Sequence, residues 1–168
     1  MTDFYKLRKD IAITVACLVL TFIPACSHNE LEFELVQFAD RKPQAISSKR
    51  YFTEHIGDVI YFATNSSHIT QESQTILARQ AIWLNKHNKY FIKIEGHADE
   101  RGTREYNIAL GARRAVAVQN FLTQSGVDPR RIHTVTLGKE RPTAVCNDIL
   151  CWSQNRRVKV VLKQNINL

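Results

Sequence analysis

The stretch Gly96-His97-Ala98-Asp99-Glu100-Arg101-Gly102-Thr103 gathers the side chains of this chain best suited to holding a small charged ligand. Asp99 offers an anion to an ammonium. Arg101, Arg104 and the free N–H groups of a helix start offer donors to a carboxylate, so a ligand carrying both charges suits the place. Arg114, on the helix that should follow, has a planar guanidinium able to grip a carboxylate through two hydrogen bonds. Asn107 lies about two helical turns before it on roughly the same face and can add an amide contact. Thr103 is placed to cap that helix and to touch the ligand. His97 raises hydrolysis with Asp99 and a metal as an alternative. No Ser or Cys nucleophile is placed to use it, and a structural hydrogen bond is the better reading.

These residues need a scaffold, and the hydrophobic pattern supplies one. Residues 59–62 are β-branched and aromatic, bounded by Gly57 and by Asn65-Ser66-Ser67, and predict a first strand. Thr70 can cap a helix whose buried face carries Ile76, Leu77, Ala81 and Leu84 and which ends between residues 85 and 89. Tyr90, Ile92 and Ile94 alternate with Phe91, Lys93 and Glu95 as a second strand stopping at Gly96-His97. A long helix over 104–124 places Ile108, Ala115, Val118, Phe121 and Leu122 on one stripe and ends before Gly126. Asp128-Pro129 turns the chain into a third strand over 132–137, residues 138–152 read as a loop, and Val158, Val160 and Leu162 mark a last strand. The order βαβαβ(loop)β predicts an α/β (α+β) two-layer sandwich, with helices on one face of a four-stranded mixed sheet. Helical crossovers make the early strands parallel, and the last strand should be antiparallel. The ligand-holding stretch then falls at the carboxyl end of a strand, where loops converge without disturbing the core.

With 44% hydrophobic and 23% charged residues, the chain has a globular composition, and its length suits one domain with a tail. The net charge of +7 suits several polyanions, and no DNA or RNA recognition motif stands out. Cys146 and Cys151 lie close together in the expected loop and can close a small disulfide in an oxidising compartment. Zinc is the rival, with His133 within reach in sequence, but no second cysteine pair or His cluster completes four ligands.

The amino terminus reads as a processing segment. Lys6, Arg8 and Lys9 precede an apolar run over 11–23 that is short for a membrane span and suited to a signal peptide. Its end, Ile23-Pro24-Ala25-Cys26, resembles the bacterial lipobox, which implies cleavage of residues 1–25 and acylation of Cys26. Buried acyl chains contribute about 0.8 kcal/mol per methylene, enough for stable anchoring when more than one chain is attached. Ser27 is not the Asp that favours inner-membrane retention in lipoproteins of this kind, so the outer membrane is expected, with the domain facing the periplasm. Export argues against nucleic acid as a partner. Residues 26–50 read as a tether and 51–168 as the folded domain.

Several ordered motifs carry a wider resemblance. Residues 96–103 followed by Glu105-Tyr106-Asn107, then Leu110-Gly111, Arg114-Ala115, Val118 and Leu122, then Gly138-Lys139-Glu140-Arg141-Pro142 and Asn155-Arg156-Arg157-Val158, resemble the OmpA-like family and its peptidoglycan-associated lipoprotein branch. Arg104 stands where that branch commonly has proline, and Gly111 where the family usually has serine. The resemblance implies non-covalent binding of the meso-diaminopimelate of the peptidoglycan stem peptide, chiefly by Asp99 and Arg114, without catalysis or cofactor. It further implies that Asn107, Thr103, Asn65 and one of Arg156 and Arg157 line the site, and that TolB of the Tol-Pal system is a partner. Ala63 replaces an Asp common in the family's first loop, which removes one polar contact.

Overall fold

The computed structural model describes residues 46–164. The expected leader, the acylated Cys26 and the tether up to residue 45 lie outside the described residues. The fold begins upstream of residue 51, the boundary expected from sequence: a short helix α1 (Lys49–Tyr51) runs into a π-helical turn (Phe52–Ile56). Trp83 Nε1 donates to the Ile46 carbonyl at 2.9 Å and the Tyr90 hydroxyl to the Ser47 carbonyl at 2.7 Å. Two buried aromatic rings thus place their polar ends on this entering segment, satisfying groups that would otherwise be buried unpaired.

The remaining elements are β1 (Val59–Tyr61), α2 (Gln71–Lys86), β2 (Phe91–His97), α3 (Arg104–Gln124), β3 (Ile132–Gly138), α4 (Ile149–Asn155) and β4 (Arg157–Lys163). Both long helices start where side-chain caps are available: Thr70 accepts from Ser73 N–H and Thr103 from Tyr106 N–H. The second ends with Gly126 at φ +92, a conformation open to glycine. Arg131 caps the end of α2, donating to the carbonyls of Leu84, His87 and Tyr90.

The sheet order is β1-β4-β2-β3. β3 is parallel to β2, and β4 lies antiparallel between β1 and β2. β1 and β2 run in the same sense but are not neighbours, because β4 takes the central place. Ile92, Ile94, Val158, Val160 and Leu162 pack from the sheet against Leu77, Leu84, Ala115, Val118 and Leu122 of the helices. The β2–α3 seam is unusually close: a Cβ on Gly96 would collide with the Gly111 carbonyl, and one on Gly111 would meet Thr136 Oγ1 at 2.6 Å. Gly111 therefore lets the backbone of α3 sit directly on the strand that ends in the candidate site. The expected loop over 138–152 is interrupted by α4, capped by Asp148, whose side chain accepts from Leu150 N–H.

Candidate functional site

Asp99 leaves the end of β2 and is only 8% exposed. Its carboxylate receives Arg101 Nη2 at 2.7 Å and Nε at 3.2 Å, the Arg101 backbone N–H at 3.3 Å and Arg156 Nη1 at 3.4 Å. Burial alone would raise this carboxyl, but the hydrogen bonds and charge of Arg101, with the hydrogen bond from Arg156, hold it below the usual aspartate range. Asp99 is therefore an anion at neutral pH.

Arg156 and Arg157 separate as strand alternation requires. Arg156, just before β4, turns to Asp99 and also donates Nε to the Phe62 carbonyl at 3.1 Å, while Phe62 N–H donates back to the Arg156 carbonyl at 2.9 Å. Arg157 points away, with Nη2 on the Arg141 carbonyl at 3.1 Å. Of the two, the structure brings only Arg156 to Asp99.

Arg114 is fully buried. Its Nε, Nη1 and Nη2 donate to the carbonyls of Ser66 at 2.8 Å, His97 at 2.8 Å and Ala63 at 3.0 Å, and its guanidinium lies 5.2 Å from the Phe62 ring centre. Desolvation pulls its pKa down to about 10, partly offset by the charge of Asp99, so it stays cationic at neutral pH. The two-pronged grip on a carboxylate is not open in this arrangement, because the guanidinium is turned to backbone. Arg114 forms the floor of the site and ties the first loop to the end of β2.

Asn107 is also buried; its Nδ2 donates to the Arg101 carbonyl at 2.7 Å, bracing the loop that carries Asp99. Lys139 braces it from the other side, on the carbonyls of Glu100 at 3.3 Å and Gly102 at 2.9 Å. Thr103 caps α3 next to this loop. Asn65 sits exposed at the tip of the first loop with φ +53, a left-handed conformation that Asn tolerates. Ala63 contributes its carbonyl to Arg114, and its side chain is exposed.

His97 departs from expectation. Its carbonyl holds Arg114, but neither ring nitrogen has a protein partner, and desolvation with the charge of Arg157 lowers its pKa to about 4. A neutral, buried imidazole lacks access to substrate. Cys146 and Cys151 are joined in a disulfide with Cα atoms 5.7 Å apart, stapling the segment before α4 to its first turn. Among the described residues no three His, Cys, Asp or Glu side chains group as metal ligands.

Two contributors were missed by sequence reasoning. Asn155 accepts from the N–H groups of Thr143 at 2.8 Å and Ala144 at 3.2 Å and donates to the Ala144 carbonyl at 2.8 Å, setting the long loop beside the site. Its signal was its place beside Arg156 in a recognised motif. The other is the Asp99–Arg101 pair, visible in sequence only as two opposite charges two residues apart.

A nearly buried aspartate among three arginines, at the carboxyl end of β2 and next to the capped start of α3, is now fixed in space. Residues 61–156 match the model of the OmpA family. The chain belongs to the OmpA family. Curated relatives include the peptidoglycan-associated lipoproteins of Mesorhizobium japonicum, 60% identical over 68% of this chain and 68% of that protein, and of Agrobacterium fabrum, 56% identical over 68% and 65%. The match thus spans about two thirds of the length of these relatives. Among solved structures, the peptidoglycan-associated lipoprotein of Burkholderia pseudomallei is similar at TM-score 0.64 and 38% identity, covering 66% of this chain and 96% of that one. The C-terminal domain of Helicobacter pylori MotB is similar at TM-score 0.60 and 25% identity, covering 66% and 87%. The OmpA-family fold seen in these neighbours is the α+β sandwich described above.

Proposed function

We propose that this chain is an outer-membrane lipoprotein that binds peptidoglycan non-covalently and ties the outer membrane to the cell wall as part of the Tol-Pal system. The observation that carries the reading is the Asp99 carboxylate, kept ionised in a nearly closed, cation-lined site on an OmpA-family domain whose curated relatives are peptidoglycan-associated lipoproteins. The ligand is the meso-diaminopimelate of the stem peptide. Its ammonium goes to Asp99, and its carboxylate settles toward the cationic floor made by Arg114 and Arg156. Asn107 and Thr103 hold the binding loop in shape, and Asn65 meets the peptide at the rim. Within the site, Arg157 acts only by supporting the neighbouring loop through Arg141.

The protein is a binding module without chemistry of its own. Acyl chains on Cys26 supply the membrane anchor, and TolB is the partner expected from the kinship with peptidoglycan-associated lipoproteins. The test is sedimentation with purified sacculi. The wild-type protein should pellet with them and Asp99→Ala should stay in solution while keeping its circular dichroism spectrum. Equal pelleting of both proteins, or release of soluble muropeptides, would overturn the reading. Incorporation of labelled palmitate, lost in Cys26→Ala, checks the anchor, and co-purification of TolB checks the partner.

A further inference from the structure

We propose that the Cys146–Cys151 disulfide sets the grip of the site on its ligand through α4, so that a dithiol reductant switches wall binding. The inference rests on the reading of Asp99 and Arg156 as ligand contacts and adds a regulatory bond outside the site itself. Cys146 is exposed and Cys151 half-buried, so the bond can be reached from solvent.

The start of α4 has little else to hold it. The helix is seven residues long, only Asn155 among them is buried, and Ile149 and Leu150 are 54% and 71% exposed. A helix this short does not persist in water on its own propensity. The Asp148 cap fixes the first turn, and the disulfide ties that turn to the segment in front of it. Breaking the bond leaves the turn with local hydrogen bonds only.

From α4, three contacts reach the loop that carries Asp99. Trp152, next to Cys151, lays its ring 4.2 Å from the Arg101 guanidinium carbon, and Arg101 donates to Asp99 at 2.7 Å. Asn155 donates to Glu100, the neighbour of Asp99, at 3.4 Å while accepting from the N–H groups of Thr143 and Ala144. Arg156, the first residue past the helix, donates to Asp99 at 3.4 Å. When the first turn of α4 unwinds, these groups lose their fixed places. The ligand must then order them as it binds, which weakens affinity without deleting a contact. The chemistry is thiol–disulfide exchange: a thiolate of the reductant attacks the exposed Cys146 sulfur and expels Cys151 as a thiolate, and the reductant's second thiolate releases Cys146 as it closes its own disulfide. Two electrons pass to the protein's sulfurs, which take up the two protons of the dithiol, and the dithiol is oxidised.

The test is isothermal titration of the stem tripeptide ending in meso-diaminopimelate into the 26–168 chain carrying Cys26→Ser, before and after reduction with dithiothreitol. This chain contains the whole folded domain, and its remaining cysteines are Cys146 and Cys151. Reduction should weaken binding by about tenfold, the scale of one charge-assisted hydrogen bond, and reoxidation should restore it. Cys146→Ser combined with Cys151→Ser should bind like the reduced protein and ignore the reductant. Ile92→Val, which lowers core stability at the far end of β2, should bind like the oxidised parent and so separates the effect from a general loss of stability. Circular dichroism should show the same fold in every state. Equal affinities before and after reduction, an equal weakening in Ile92→Val, or loss of the whole fold on reduction would overturn the proposal. If the oxidised parent does not bind the peptide, the reading of Asp99 fails and the proposal with it. If it binds, loses binding in Asp99→Ala and ignores the reductant, only the present inference fails.

Discussion

Arg114→Met tests the most unusual feature of the site, a guanidinium buried among backbone carbonyls. Methionine keeps much of the aliphatic volume and removes every donor. The His97 carbonyl is buried, and leaving it unpaired costs about 1–3 kcal/mol; the Ser66 and Ala63 carbonyls lie nearer the surface, where water replaces part of each bond, at about 0.5–1.5 kcal/mol apiece. The expected loss is about 3 kcal/mol, a shift of about 2 M in the urea midpoint for a domain of this size. The loss should be local as well as global: amide exchange at Ser66, which donates to Ala63 at 3.3 Å, should accelerate well before the core opens. Urea unfolding followed by circular dichroism and site-resolved hydrogen exchange make the measurement. A loss under about 1 kcal/mol with unchanged exchange at residues 63–66 would show that Arg114 does not hold the first loop.

Other positions give independent checks. His97 has a folded pKa of about 4 against 6.5 unfolded, so the unfolded chain binds more protons between those values and stability should fall as pH drops from 6.5 to 4, by up to about 3 kcal/mol. His97→Gln should flatten that part of the curve; Asp99, whose folded pKa is depressed, has the same sign and loses its contribution at still lower pH. Gly96→Ala should cost about 3 kcal/mol or prevent folding, because its Cβ meets the Gly111 backbone rather than a movable side chain; thermal melting reads this. Reduction of the Cys146–Cys151 bond, or its replacement by serines, should cost about 2 kcal/mol for so short a loop, measured by urea unfolding with and without reductant.

What could be read from sequence was what local chemistry dictates. Thr70 and Thr103 announce helix starts through their hydroxyls, and Tyr90, Ile92 and Ile94 announce a half-buried strand through alternation. The missing element, α4, had a capping residue, Asp148, but no apolar stripe behind it to mark a helix. Its apolar residues Ile149 and Leu150 are exposed rather than aligned on a buried face, and the helix depends on the Asp148 cap and the disulfide. The central place of β4 was hidden because strand order depends on which edges meet after the crossovers, and its Lys159 and Lys163 resemble those of an edge strand.

At the site, residue types were legible and their pairings were not. Asp99, Arg114 and Asn107 could be named, but periodicity places a residue on a helix face without saying whether it meets ligand or backbone. The buried ends of Arg114 and Asn107 are turned to carbonyls of segments far away or across the loop. Likewise the choice between Arg156 and Arg157 depended on how α4 delivers the chain into β4.

The most direct test of the account is calorimetric titration of the meso-diaminopimelate tripeptide into the wild-type protein and into Asp99→Asn, which keeps the size of the side chain and removes its charge. Binding should weaken by at least about tenfold in the variant, with urea unfolding confirming an intact fold. Equal affinities for the two proteins would contradict the claim that Asp99 receives the ligand's ammonium.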